Sequence, residues 1–324
     1  MAQLEHGDNQ VVSVFKVVLH CKKVCMKIQS WLVTGATGLI GQALVKTLLT
    51  QGHEVRTVGR TLRSVHGASP FAWSPTRGQF PLEALDDIDV VVHLASASVG
   101  KRWTGAHRRA ILESRTLSTH LLRESMIKVG FKGTWIQASA IGIYGNNPQP
   151  CDEQTAYGSG FLAQIAQAWE NAAQPDKISP FRLVRMRLGL VLSPKGGPLE
   201  KLLPIYKVGL GAPLGSGKQP MGWIHIDDVV QFILWAASNE VARGAFNVVA
   251  PEAVSNASFS ECLATALNRP HWAPAVPAFA LNLAMGSMSS LLLEGQNATP
   301  NKLLKAGFEW RYPALMEALI HCIG

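Results

Sequence analysis

Apolar residues recur along the chain in two alternating rhythms. Compact apolar runs predict buried strands at Lys27–Thr34, Glu54–Val58, Asp89–Leu94 and Thr134–Ser139. Between them, apolar positions three and four apart predict helices over Gly38–Gln51, Ala106–Val129 and Ser159–Ala173. Arg182–Leu192 alternates arginine with apolar residues, as in a strand with one exposed face. A helix over Asp227–Ser238 and a short strand over Ala245–Val249 complete the series. Strand–helix alternation of this kind predicts an α/β fold: a doubly wound parallel sheet covered on both faces, as in a Rossmann domain. From Pro251 the texture changes to helical stretches divided by prolines, at Ser258–Leu267, Ala278–Leu293, Pro300–Ala306 and Pro313–Ile320. The expected layout is an N-terminal extension over 1–25, a nucleotide-binding domain with part of a substrate lobe over 26–250, and a smaller helical segment over 251–324. Residues 1–25 read as an extension or a misassigned start, because Met26 opens the first strand and the segment lacks the pattern of a signal peptide. Ala278–Leu293 is the most apolar helix and reads as a core helix. Asn282, Gly286 and several serines interrupt it, so no membrane span is expected.

The turn after the first strand reads GATGLIG and has the form G-x-x-G-x-x-G. It lies between a strand and a helix, the context a dinucleotide fingerprint requires. Gly35 suits a tight turn, Gly38 a close approach of backbone to pyrophosphate, and Gly41 close helix–strand packing. With Thr37, Leu39 and Ile40 they form the loop and first helical turn whose amides would meet the phosphates. Arg60 ends the second strand, 19 residues after Gly41. An acid there would bond the ribose 2′-hydroxyl of NAD, whereas arginine pairs with a 2′-phosphate, so NADP(H) is the expected cofactor. Arg63 is placed to reinforce it.

Composition narrows the partners. The net charge is +8, but the basic residues are scattered, with no stripe interleaved with aromatics, so nucleic acid is not expected. The five cysteines show no CxxC or Cys/His ligand spacing. That predicts reduced thiols, a cytoplasmic setting and no metal site. A small-molecule substrate, and a monomer or homodimer, fit a chain of this size.

Several further stretches are more specific: HLASASVGKRW (93–103), SAIGIYG (139–145), WIHIDDV (223–229) and AGFEWRYP (306–313). From Met26 onward the sequence resembles the epimerase-family group of atypical short-chain dehydrogenase/reductases. The resemblance implies a cofactor at the C-terminal ends of the strands. His93, Leu94, Ala95 and Ser96 would line its adenine and ribose side. Lys101, Arg102 and Trp103 would lie near the nicotinamide, as would Arg187 and the 189–192 segment. Ser139 matches the catalytic serine, and Trp223, His225 and Asp227 match a motif that ties the substrate lobe to the sheet.

Working enzymes of that superfamily use a tyrosine as acid–base and a lysine four residues later to lower its pKa. Here Tyr144 is followed at that spacing by Pro148 and Tyr157 by Phe161. In a third register the two positions fall on Leu162 and Ala166. An unassisted tyrosine, with a pKa of about 10, is only about a thousandth ionised at neutral pH. Ser139 and Tyr144 remain the candidate catalytic donors to a substrate carbonyl, with Lys101 or Arg102 to polarise it and His225 to shuttle a proton. Each also has a structural role open to it: a satisfied strand end, a packed loop aromatic, a phosphate contact, a capping histidine. Three readings follow: an NADP(H)-dependent oxidoreductase or epimerase acting on a carbonyl or nucleotide-linked sugar, a non-catalytic NADP(H)-binding redox sensor, and an interaction protein with a vestigial cofactor site.

Overall fold

The computed structural model describes residues 28–174 and 179–324; the expected N-terminal extension lies outside them. Along the chain run β1 (Ser30–Thr34), α1 (Leu39–Thr50), β2 (Glu54–Gly59), β3 (Ser69–Ala72), β4 (Val90–His93), α2 (Gly105–Lys128) and β5 (Thr134–Ala140). Then come β6 (Asn147–Cys151), α3 (Phe161–Ala172), β7 (Arg182–Leu188), β8 (Leu190–Leu192), α4 (Pro198–Lys207), β9 (Pro220–Met221), β10 (Trp223–His225), α5 (Ile226–Ser238) and β11 (Gly244–Val248). The remainder is β12 (Val254–Ser255), α6 (Asn256–Ala266), α7 (Ala278–Met285), α8 (Ser290–Leu293), β13 (Gln296–Ala298), α9 (Asn301–Lys305) and α10 (Leu315–Ile323).

Seven strands pair in parallel in the order β11-β7-β5-β4-β1-β2-β3. Their side chains alternate between two cores. Trp31, Val33, Val90 and Val92 face α1 and α5 through Leu44, Leu48, Phe232 and Ile233. Leu32, Val91 and Trp135 face the opposite side with Leu122 and Met126 of α2. Burial on both faces explains why the central strands are continuously apolar. The order reverses between β1 and β4, and this switch point opens a crevice at the strands' C-terminal ends.

Three sequence expectations change. Arg182–Leu192 is not one strand with an exposed face. Gly189 divides it, and β8 leaves the main sheet to pair with β10. Arg182 and Arg187 are buried, because carbonyls and a carboxylate receive their guanidinium groups. Ala278–Leu293 is not a core helix: it breaks at Gly286, and α7 contains no buried residue. The C-terminal stretch also supplies β12 and β13 to a four-stranded sheet, β12-β9-β13-β6. These strands are two to five residues long and include Pro148, Pro150 and Pro220, so no run of alternating apolar residues marks them.

Candidate functional site

The turn after β1 fills the crevice at the switch point. Gly35 has a φ of +71°, and a Cβ there would lie 2.7 Å from the Ala95 amide nitrogen. A Cβ on Gly41 would lie 2.4 Å from the Gly35 carbonyl oxygen, so only glycine lets α1 settle onto the turn. Gly38 differs. Apart from the Gly35 oxygen at 3.2 Å, nothing stands near its Cβ position. No side chain caps α1 and its first turn holds no acid. The helix therefore presents bare amides and a positive dipole end to an anion. Leu39 turns its side chain toward Gly196 and Gly197, and Ile40 packs on the core, so both offer the cleft only backbone.

Beside this turn lies a cleft of about 460 Å³ lined by Gly35, Thr37, Gly59, Arg60 and Arg63, among others. Both arginines are exposed, and neither guanidinium has a hydrogen-bond or ion-pair partner among the described residues. Two unpaired guanidinium groups next to a bare helix N-terminus suit a ligand with phosphates at two places. A dinucleotide carrying a 2′-phosphate has that arrangement.

The imidazole of His93 does not reach the crevice. It is fully buried, 2.7 Å from Thr34 Oγ1 and 3.0 Å from Thr119 Oγ1, and burial lowers its pKa to about 3. Leu94, Ala95 and Ser96 form the accessible strand end. On the following loop Lys101 and Arg102 are exposed, whereas Trp103 is buried, donates to the Val99 carbonyl at 2.9 Å and meets Phe161 edge-on. Lys201 of α4 donates to the Gly100 carbonyl at 3.3 Å and pins the loop from the other side.

Ser139 and Tyr144 belong to one closed network. Ser139 donates to Glu170 Oε1 at 2.7 Å. Arg187 donates to both oxygens of the same carboxylate, at 2.9 and 3.0 Å, and to the Tyr144 hydroxyl at 2.9 Å. Tyr144 in turn donates to Asn247 Oδ1 at 2.7 Å. All five residues are buried. Burial is the largest influence on Tyr144 and pushes its phenol up to about 12, against the lowering effect of Arg187. Burial also disfavours the Arg187 cation, but Glu170 and then Tyr144 outweigh it and hold the pKa above the usual arginine range. A phenol this hard to ionise, with its hydroxyl engaged on both sides, is a poor general acid or base. Glu170 and Asn247 are the members that sequence reasoning missed. A lone acid on the apolar helix FLAQIAQAWE was the signal for Glu170.

Neither remaining tyrosine–lysine register supplies the missing pair. Tyr157 is half-exposed in the loop before α3, with the Arg187 guanidinium 5.5 Å from its ring. Leu162 and Ala166 sit on α3 itself, and Leu162 lies against Gly142 at the end of the β5 segment. An apolar cluster stands there: Leu162, Val99, Met288 and Leu291 pack against the group of Trp103, Ile111 and Ile165.

His225 caps α5, its Nδ1 accepting from the Asp227 amide at 3.1 Å. That bond places its proton on Nε2, which donates to His321 Nδ1 at 3.1 Å. Burial is the main cause of a pKa lowered to about 4. His225, Asp227 and His321 cluster closely enough to ligate a cation. The cap and the imidazole–imidazole bond nevertheless occupy both nitrogens of His225, and a metal there would have to break one of them. Asp228, next to the Asp227 that the motif singles out, makes the main tie. It is buried, and its carboxylate accepts the backbone amides of Arg311 and Tyr312. WIHIDDV and AGFEWRYP are thus bonded to each other.

The NAD-dependent epimerase/dehydratase family model matches residues 31–249, and a domain of unknown function, DUF1731, matches 276–322. An epimerase family protein of Mycobacterium bovis is 38% identical over 291 residues, 89% of this chain and 95% of its own. The epimerase family protein YfhF of Bacillus subtilis is 36% identical over 295 residues, 90% and 97% of the two chains. Among solved structures, the human epimerase family protein SDR39U1 with NADPH superposes with a TM-score of 0.82 at 30% identity, covering 91% of this chain and 99% of that one.

Proposed function

The chain belongs to the NAD-dependent epimerase/dehydratase family, and from that membership we propose that it is an NADP(H)-binding protein that holds the cofactor without the tyrosine–lysine proton relay. The observation that carries the reading is that Arg60 and Arg63 share one cleft with the glycine turn that leads into the uncapped α1. Gly38 and the first-turn amides of α1 would receive the pyrophosphate, and the two arginines the 2′-phosphate. Leu94, Ala95 and Ser96 would line the adenosine side, and the Lys101–Trp103 loop the nicotinamide half. The relative solved with NADPH supports the choice of phosphate-bearing cofactor. The bound cofactor supplies hydride. With Ser139 and Tyr144 committed to Glu170 and Asn247, neither of these two hydroxyls is free to supply the proton that must accompany a transferred hydride. Tight NADPH binding with little turnover, as in a redox sensor, follows.

The half-exposed Tyr157 beside Arg187 favours a second reading, an oxidoreductase or epimerase acting on a carbonyl or nucleotide-linked sugar. There Tyr157 would serve as the acid and a guanidinium would take the place of the lysine. Single-turnover oxidation of bound NADPH against a panel of aldehydes, ketones and nucleotide-linked keto sugars separates the two. The sensor reading expects no substrate-dependent loss of NADPH fluorescence. Turnover that is abolished in Tyr157→Phe and kept in Tyr144→Phe establishes the enzyme instead.

A further inference from the structure

Six exposed apolar side chains lie on two stretches of chain, 205–210 and 272–283, that pack together. Trp272 is 70% exposed, Phe279 74% and Leu283 85%, and Ile205, Val208 and Leu210 are also on the surface. Phe279 and Leu283 are one turn apart on α7 and share a face. The two stretches of chain meet. Pro270 lies against Gly209, and the 213–215 turn bonds to Val276 in both directions, two residues before α7 begins. Gln219 donates to the Leu292 carbonyl at 2.7 Å and fixes the far end of the same segment. The edge is therefore a built surface, not a loose tail.

Its charge is one-sided. Residues 201–226 contain Lys201, Lys207 and Lys218, and residues 262–293 contain Arg269, without an Asp or Glu in either stretch. Acids resume only at Glu200, Asp227, Glu261 and Glu294, which bound the two stretches. A second copy of the chain meeting this face about a two-fold axis would offer Lys207 and Arg269 only the same two stretches, which hold no acid to neutralise them. An anionic lipid surface satisfies both halves of the pattern. Aromatic and aliphatic side chains enter the headgroup–acyl boundary, and the basic rim meets lipid phosphates.

We propose that this edge, from the end of α4 through Trp272 to α7, docks on an anionic lipid bilayer. Trp272, Phe279 and Leu283 insert, and Lys207 and Arg269 contact the headgroups. The mode is peripheral. No helix among the described residues is long and apolar enough to cross a membrane. The proposal does not depend on cofactor binding.

The test is co-sedimentation of the full chain with vesicles of phosphatidylglycerol and phosphatidylcholine, compared with phosphatidylcholine alone. Binding is expected only with the anionic vesicles and should weaken severalfold at high salt. The pair Phe279→Ser and Leu283→Ser should lower the partition coefficient by roughly tenfold. The pair Lys207→Glu and Arg269→Glu should lower it at least as much. Both variants change surface side chains only and should keep the parent melting temperature and NADPH affinity. Failure of the parent to bind overturns the proposal. So does binding that persists in both variants, since another segment then carries it. So does a parent dimer in sedimentation velocity that the apolar variant converts to monomer, since a second copy is then the occupant.

Discussion

Glu170 is a single carboxylate on an otherwise apolar helix face, and it holds Ser139 and Arg187 at once. Removing one partner of a buried pair leaves the other charge uncompensated, at a cost of about 3–5 kcal/mol. Glu170→Ala should therefore lower the unfolding free energy by that order, read as a lower urea midpoint, and the double variant Glu170→Leu with Arg187→Met should recover most of the loss. An unchanged midpoint in the single variant would show that the pair is not formed. The residue scale also marks what was legible in the sequence. Gly35, Gly38, Gly41 and Arg60 are close neighbours whose chemistry follows from their spacing. The Tyr144 bonds to Arg187 and Asn247 join residues 43 and 103 positions apart, and nothing local to any of the three announces the others. Ser139 and Tyr144 were consequently read as candidate catalysts when their hydroxyls are engaged in structure.

At the scale of elements, the turn between β1 and α1 separates fold from function glycine by glycine. Gly41→Ala places a methyl against backbone that cannot move aside. It should destabilise the fold by about 1–3 kcal/mol, read as a lower melting temperature. Gly38→Ala adds a methyl with only the Gly35 carbonyl oxygen near it. It should leave the melting temperature nearly unchanged and weaken cofactor binding. Equal thermal effects of the two would contradict this division. The helices α1, α2, α3 and α5 and the parallel strands other than β3 were legible because apolar residues run through them in a regular rhythm; β3, four half-exposed residues including Pro70, was not. The small sheet was not, because its strands are short and joined by pairing rather than by pattern. The failure at α7 has a different cause. An apolar run predicts burial only when something covers it, and Phe279 and Leu283 of α7 stay exposed while Leu281 and Met285 are only half-buried.

For the whole molecule, two buried imidazoles set the response to acid. His93 and His225 have folded pKa values lowered to about 3 and about 4, chiefly by burial. The unfolded chain takes up a proton at each near pH 6.5, so it binds more protons than the native state below that pH. Their contribution is intact above about pH 6.5 and is lost as pH falls toward the folded values. Unfolding free energy should decline over this window, and His93→Gln, already less stable, should show a shallower decline. An acid limb of unchanged slope in the variant would show that His93 is accessible to protons in the native state.

The central claim is that the cleft beside the glycine turn selects a 2′-phosphate. Calorimetric titration of the full chain with NADPH and with NADH, repeated on Arg60→Ala, tests it most directly. The parent should bind NADPH at least about tenfold more tightly than NADH. The variant should lose that difference by weakening NADPH alone, as expected for one charge-assisted contact of about 1.5–3 kcal/mol. Equal affinities in the parent, or a preference that survives in Arg60→Ala, would contradict the account.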